Sequence, residues 1–159
     1  FPSLAEEVAT MQRFSTEHPG ECLVEAIGTR ERDSGVRVVQ DNASFLAVAP
    51  FASRHPYEIM VVPQRHAGSL AQATDKELDS LAEILPGLLR AQFRALGPIS
   101  YNFVVHVSPL PQKDHPDFHW HIEITPRLIH PDGFDLGSGI SVNPVSPEAA
   151  ADALRKTLI

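Results

Sequence analysis

The periodic segments of this sequence predict an α+β fold, an antiparallel sheet packed by helices within one domain over 1–159. Two observations carry that class. A long leucine-rich stretch keeps helical spacing in the middle of the chain, and short β-prone runs bounded by Pro, Asn or Gly lie on both sides of it. No repeat, low-complexity tract or linker-like stretch divides the 159 residues, a length that buries a core without disulfide or metal staples.

Residues 3–14 place Leu4, Val8, Met11 and Phe14 at three- and four-residue spacing, which predicts a short peripheral helix. Val36–Val39 and Phe45–Val48 are β-prone and separated by Asp41-Asn42-Ala43, so they predict a hairpin. A third strand is expected at Tyr57–Val62, between Pro56 and Pro63. Thr74-Asp75-Lys76-Glu77 is a capping box, after which Leu78, Leu81, Ile84, Leu85, Leu88 and Leu89 predict a helix to about Leu96, kinked at Pro86. Strands at Tyr101–Val107 and Phe118–Ile124 follow, with a Pro-rich loop over 108–117 between them. A loop holding Gly133, Gly137 and Gly139 leads to a short strand near Ile140–Asn143, and Ser146-Pro147-Glu148 opens a closing helix.

The composition narrows the function. The formal charge of −7 comes with no basic stripe, so no nucleic-acid partner is expected, although a small phosphate ligand needs only a few local donors. No apolar run approaches the roughly 20 residues of a membrane span. Cys22 is the only cysteine, which excludes an internal disulfide, fits a reducing and cytoplasmic setting, and reads most simply as a small buried hydrophobe. The chain opens on Phe1 without an initiator Met or a signal-like segment, as a trimmed chain or a piece of a longer protein would.

The chemistry concentrates in Phe118-His119-Trp120-His121-Ile122-Glu123-Ile124. Strand alternation places His119, His121 and Glu123 on one face and Phe118, Trp120, Ile122 and Ile124 on the other. A solvated polar face is the plain alternative, but one of that kind more usually mixes Lys, Thr and Ser. Two chemistries fit the ionisable face. A neutral imidazole can attack phosphorus and pass a nucleotidyl group onward, with a flanking imidazole orienting it; here His121 and His119 are the catalytic candidates. Alternatively, His121 and Glu123, about 7 Å apart along the strand, close around a cation with His106 from the preceding strand, an N,N,O set suited to zinc or iron. Arg65, after a buried strand, is a candidate phosphate contact. His18, His55, His66, His115 and His130 lie beside Pro or in predicted loops and are expected at the surface.

Several runs together resemble a known family. They are His55-Pro56-Tyr57-Glu58-Ile59-Met60-Val61-Val62-Pro63-Gln64-Arg65-His66, Tyr101-Asn102-Phe103-Val104-Val105-His106, the His-Trp-His-Ile-Glu strand, and Gly133 through Gly139 continuing to Asn143 and Pro147-Glu148-Ala149-Ala150. In this order they resemble the carboxy-terminal half of galactose-1-phosphate uridylyltransferases, within the histidine-triad (HIT) superfamily. The resemblance implies a HIT-like antiparallel sheet with a long helix and flanking shorter helices. It also implies transfer of a nucleotidyl group between a nucleoside diphosphate sugar and a sugar 1-phosphate.

By the same resemblance His106, His121 and Glu123 bind zinc or iron, completed by a carboxylate from a missing first half. Asp135, with Asn143 farther along, contacts the sugar, and the chain pairs as a homodimer or with an N-terminal half. The sequence departs from the family in having no His-Pro-His, and in carrying Cys22-Leu23-Val24-Glu25 where many relatives have Cys-x-x-Cys, so no cysteine zinc site is carried over. The wider superfamily offers two alternatives: a stand-alone nucleotide hydrolase or transferase with His121 as nucleophile, or a non-catalytic metal-binding or dimerisation domain.

Overall fold

A computed structural model describes residues 2–109, 116–130 and 132–158. The order is α1 (Pro2–Glu17), α2 (Leu23–Ser34), β1 (Val38–Asp41), β2 (Phe45–Val48), β3 (Ile59–Pro63), α3 (Asp75–Leu96), β4 (Tyr101–His106), β5 (His121–Pro126), α4 (Gly133–Ser138) and α5 (Pro147–Thr157). The strands form one antiparallel sheet, ordered β1-β2-β3-β5-β4. This is the α+β class expected from the sequence.

Strand parity sorts the apolar residues into two layers. Phe45 and Ala47, Ile59 and Val61, and Ile122 and Ile124 point to one face, where Leu81, Ile84 and Leu88 of α3 and Ala150, Ala151 and Leu154 of α5 cover them. On the opposite face Val62 meets Met11 of α1 and Val24 of α2, with Met60 packed alongside. The sheet is therefore sandwiched, and β2 is buried along its whole length. Strand β4 is the exception, because Tyr101, Asn102, Phe103 and Val104 are all exposed.

The capping box at Thr74 and Glu77 starts α3 as the sequence predicts, and the helix continues through Pro86. The hairpin turn also forms: Asn42 Oδ1 accepts from Ser44 N and Phe45 N, fixing the chain between β1 and β2.

Four features differ from the sequence reading. Helix α2 was not expected. Its second half is charged, and its N-cap, Cys22, makes no side-chain cap bond, so only left-handed Gly35 at its end (φ 66°) marks it. Strand β3 starts at Ile59 because Tyr57 takes φ 59°, which breaks an extended run, and the Glu58 carboxylate folds back onto Arg54 N and His55 N. Residues 133–138 form helix α4, with Asp132 and Asp135 as a capping box and Gly139 in the left-handed region, and the expected strand at 140–143 is absent. Finally, β5 begins only at His121. Trp120 N donates to Ala67 O, the alternation stops there, and Phe118 joins the α1/α2 layer instead of the Trp120 face. Most of the Pro-rich loop, with His115, lies outside the described residues.

Candidate functional site

The functional residues lie on the α1/α2 side of the sheet, at the start of β5. His106 and His121 are directly opposed partners on β4 and β5. Their rings stack with centroids 4.5 Å apart and 11° between planes. Antiparallel pairing alone brings them together, since facing residues in adjacent strands sit within contact distance.

Helix α1 crosses above this pair and lowers Glu7 onto it. Glu7 Oε2 lies 2.9 Å from His106 Nδ1, and Glu7 Oε1 lies 3.5 Å from His121 Nε2. Glu123 approaches from the side, 3.3 Å from His106 Nε2, and is itself bound by Arg54 at 2.9 Å. His121 Nδ1 donates to the His119 carbonyl at 3.2 Å, which leaves Nε2 with its lone pair turned toward Glu7.

Two buried atoms in this arrangement, Glu7 Oε1 and His106 Nε2, make no well-formed hydrogen bond, their nearest partners, His121 Nε2 and Glu123 Oε2, standing 3.5 Å and 3.3 Å away. Buried polar atoms are normally satisfied, and orphans at a histidine and a carboxylate are what a cation would occupy. The ligand atoms of Glu7, His106 and His121 lie within 4.8 Å of one another. The cluster opens onto a cleft of about 280 Å³, walled by Met11, Ile27, Arg54 and Met60 among others.

The electrostatics follow from this packing. Glu123 and then Glu7 hold the His106 imidazolium, pushing its pKa up to about 9. Burial pulls His121 down instead. Burial works against the Glu123 carboxylate, but His106 and Arg54 outweigh it and its pKa falls. Glu58, which sequence reasoning missed, is almost wholly buried beside this group and is pushed up by burial first and by Glu123 second.

The remaining candidates occupy other surroundings. His119 turns away from His121: its ring is fully buried, its Nε2 lies 3.0 Å from the Pro63 carbonyl, and its Nδ1 faces Cys22 and Glu25. Burial and nearby His66 bring its pKa down to about 4.

Asp135 receives the N–H groups of Asp132 at 3.1 Å and Val142 at 2.9 Å, which lowers its pKa and fixes the carboxylate. Asn143 clips its own segment to the 50–58 loop: its Nδ2 lies within 3.2 Å of Ser53 O, Ser53 Oγ and His55 O, while its Oδ1 accepts from Val145 N. That loop carries Arg54, so Asn143 is tied to the histidine cluster through the backbone.

Of the histidines expected at the surface, His18, His66 and His130 are exposed and His55 is half-buried. No signal in the sequence singled out Glu7, which lies far along the chain from the strands it meets.

Arg65 forms a two-pronged pair with Glu77, Nε–Oε1 and Nη2–Oε2 both at 2.8 Å, and Nη2 also donates to Gln72 O. The guanidinium first, then the Thr74 N–H and hydroxyl, hold the Glu77 carboxyl down to about 2. A carboxylate depressed in the folded state stabilises the protein above its unfolded pKa, and that contribution is lost as the pH falls through the folded value. Replacing Glu77 by Gln should therefore cost about 1–2 kcal/mol near neutral pH, with solvent screening included because the Arg65 side chain is 48% exposed. The gap to wild type should close as the pH approaches about 2. Urea unfolding across the acid range checks this, and a gap independent of pH would refute the assignment.

Comparison with known proteins places these residues in context. Residues 7–136 match the family model for the galactose-1-phosphate uridyl transferase C-terminal domain. The chain is 33% identical over 121 residues to the ADP-glucose phosphorylase of Arabidopsis thaliana, covering 75% of this chain and 34% of that protein. It is 30% identical over 136 residues to the galactose-1-phosphate uridylyltransferase of Thermotoga maritima, covering 80% and 42%.

Among solved structures, a uridylyltransferase superposes with TM-score 0.90 at 30% identity, over 99% of this chain and 51% of that one. A zinc-bound histidine triad family protein from Mycobacterium smegmatis shares the fold at TM-score 0.58 and 19% identity, over 87% of this chain and 93% of its own. The chain thus spans about a third to a half of the length of these transferase-type relatives.

Proposed function

Because the chain belongs to the family of galactose-1-phosphate uridyl transferase C-terminal domains, we propose that it serves as the metal- and sugar-binding half of a nucleotidyltransferase. The reaction moves a nucleotidyl group between a nucleoside diphosphate sugar and a sugar 1-phosphate, in the cytoplasm. Relatives named for uridylyl transfer and for ADP-glucose phosphorolysis share the chain's features, so the proposal covers uracil and adenine nucleotides alike.

The observation that carries this reading is the convergence of Glu7, His106 and His121, with two orphaned buried atoms between them. These residues would hold zinc or iron, with Glu123 beside them. Bound there, the cation supplies charge neutralisation for two carboxylates and pins α1 to β4 and β5. In this proposal Glu7 supplies, from within the chain, the carboxylate expected from a missing half.

Asp135 offers the sugar a fixed carboxylate. Each of its oxygens accepts one backbone N–H and retains a lone pair for a hydroxyl donor. Asn143 holds that segment in place. Arg65 would meet a phosphate by exchanging Glu77 for it. A second copy or an N-terminal half would dock along β4, whose Tyr101, Phe103 and Val104 stand uncovered.

Elemental analysis of the purified chain tests the metal assignment. His106→Ala is expected to lose one equivalent of zinc or iron relative to wild type while keeping its fold. A folded wild type whose metal content is unchanged by that substitution would overturn it. His121 would then be free for the nucleophile role, although its Nε2 now faces a carboxylate that repels an incoming phosphate.

A further inference from the structure

The loop over residues 50–58, between β2 and β3, touches both the histidine cluster and the segment that carries Asp135. Toward the cluster, Arg54 Nη2 lies 2.9 Å from Glu123 Oε2, the same oxygen that stands 3.3 Å from His106 Nε2. Toward the Asp135 segment, the Ser53 carbonyl and hydroxyl and the His55 carbonyl all lie within 3.2 Å of Asn143 Nδ2. The acceptors that Asn143 grips therefore bracket Arg54 on both sides.

Several bonds hold the loop rigid. Glu58 Oε2 accepts the N–H groups of Arg54 at 2.8 Å and His55 at 3.1 Å. Tyr57 takes φ 59°, a left-handed conformation that a bulky residue seldom adopts, and buried Gln92 of α3 donates to its carbonyl at 3.0 Å. Strained backbone of this kind persists only where its surroundings over-determine it. A loop so fixed passes a shift at Arg54 on to Ser53 and His55.

The Asp135 segment, by contrast, has little burial to hold it. Ile140 and Val142 are exposed, and packing on the core resumes only at Val145. Its order rests on hydrogen bonds. Val142 N donates to Asp135 Oδ1 at 2.9 Å, and Asn143 Oδ1 accepts from Val145 N. The two N–H groups of the Asn143 amide are shared among its three oxygen partners, so both of its donors serve to place the segment.

We propose that Arg54 and Asn143 are positioning residues at the two ends of one strut, the 50–58 loop, through which Glu123 of the histidine cluster sets the order of the Asp135 segment. A cation beside Glu123 attracts that carboxylate and steadies it, and with it Arg54, the loop and Asn143. Linkage makes the effect reciprocal: a ligand that orders the Asp135 segment tightens the hold on the cation by the same factor. The value of this coupling to a sugar-phosphate reaction rests on the proposed nucleotidyltransferase role, whereas the strut itself is measurable in the metal-free chain.

The test is amide hydrogen exchange at Val142, followed by nuclear magnetic resonance without metal and after adding zinc, in wild type and in Arg54→Met, Asn143→Ala and Glu7→Ala. Arg54 is 54% exposed and its side chain bonds Glu123, so Arg54→Met opens no core and leaves the bonds of the Asp135 segment in place. Without metal, Arg54→Met is expected to speed exchange at Val142 by about 3-fold, the worth of an exposed ion pair. Asn143→Ala should speed it by about 10-fold, the worth of a hydrogen bond. Zinc should slow the exchange in wild type but not in Asn143→Ala or Glu7→Ala. Exchange at Ile84, in the core, should stay at the wild-type rate in every variant, which separates local opening from global unfolding. The proposal is overturned if Arg54→Met or Asn143→Ala leaves Val142 at the wild-type rate without metal, or if zinc still slows it in Asn143→Ala. If both variants speed exchange but zinc has no effect in wild type, or acts equally in Glu7→Ala, the strut stands and the cation assignment at Glu7 falls.

Discussion

Replacing Trp120 by Ala should destabilise the protein by about 3–5 kcal/mol, a large share of the roughly 5–15 kcal/mol that holds an ordinary domain together. Trp120 is 1% exposed and lies edge-on to Phe45 with ring centroids 5.9 Å apart, between the sheet and the α3/α5 layer. Its backbone N–H is fastened to Ala67, so the chain cannot slide a smaller residue into the gap. The vacated volume would remain as a cavity, whose cost adds to the lost transfer energy. Chemical unfolding monitored by far-ultraviolet circular dichroism measures this directly. A loss below about 1 kcal/mol would mean that the core repacks, contrary to the dense packing seen here.

The second large effect is expected at Glu7. Removing its carboxylate by Glu7→Ala should weaken zinc or iron binding at the His106/His121 pair by at least about 100-fold, because it takes away a charged ligand where even supporting partners are worth 10–100-fold. The substitution removes no buried apolar group, so helical content should persist. Competition against a chromophoric chelator gives the affinity. Equal affinities in wild type and variant would show that Glu7 merely neutralises His106 and does not ligate.

The sequence revealed the fold more fully than the site, for a physical reason. Capping chemistry at Thr74 and Ser146, hairpin chemistry at Asn42, continuous apolar runs in β2 and β3 and alternation in β5 are local signals, and each formed the expected element. Helix α2 carried no such opening signal, because Cys22 caps nothing through its side chain.

The site was legible where antiparallel pairing makes it local. His106 and His121 could be matched from their strands, and Glu123 two residues on lands beside them. Glu7 could not be found this way, because its place depends on how α1 crosses the sheet. His119 shows the limit of alternation. It shares sequence parity with His121, yet the chain bends before β5 begins, and its ring enters a different cluster among residues of α2 and the segment after β3. His66, one of the histidines expected simply at the surface, is exposed but also turned toward that cluster.

Strand β4 has a consequence for the energetics of the whole chain. Tyr101 through Val104 stand exposed at the sheet's margin, and among the described residues the outer backbone groups of β4 have no neighbouring strand in the five-stranded order. Any strand that lays itself along β4 binds only the folded form, and whatever binds only the folded form adds to its stability in proportion to the logarithm of its concentration. Were a second copy to dock there, the folding free energy would depend on protein concentration, and dilution would act as a mild denaturant.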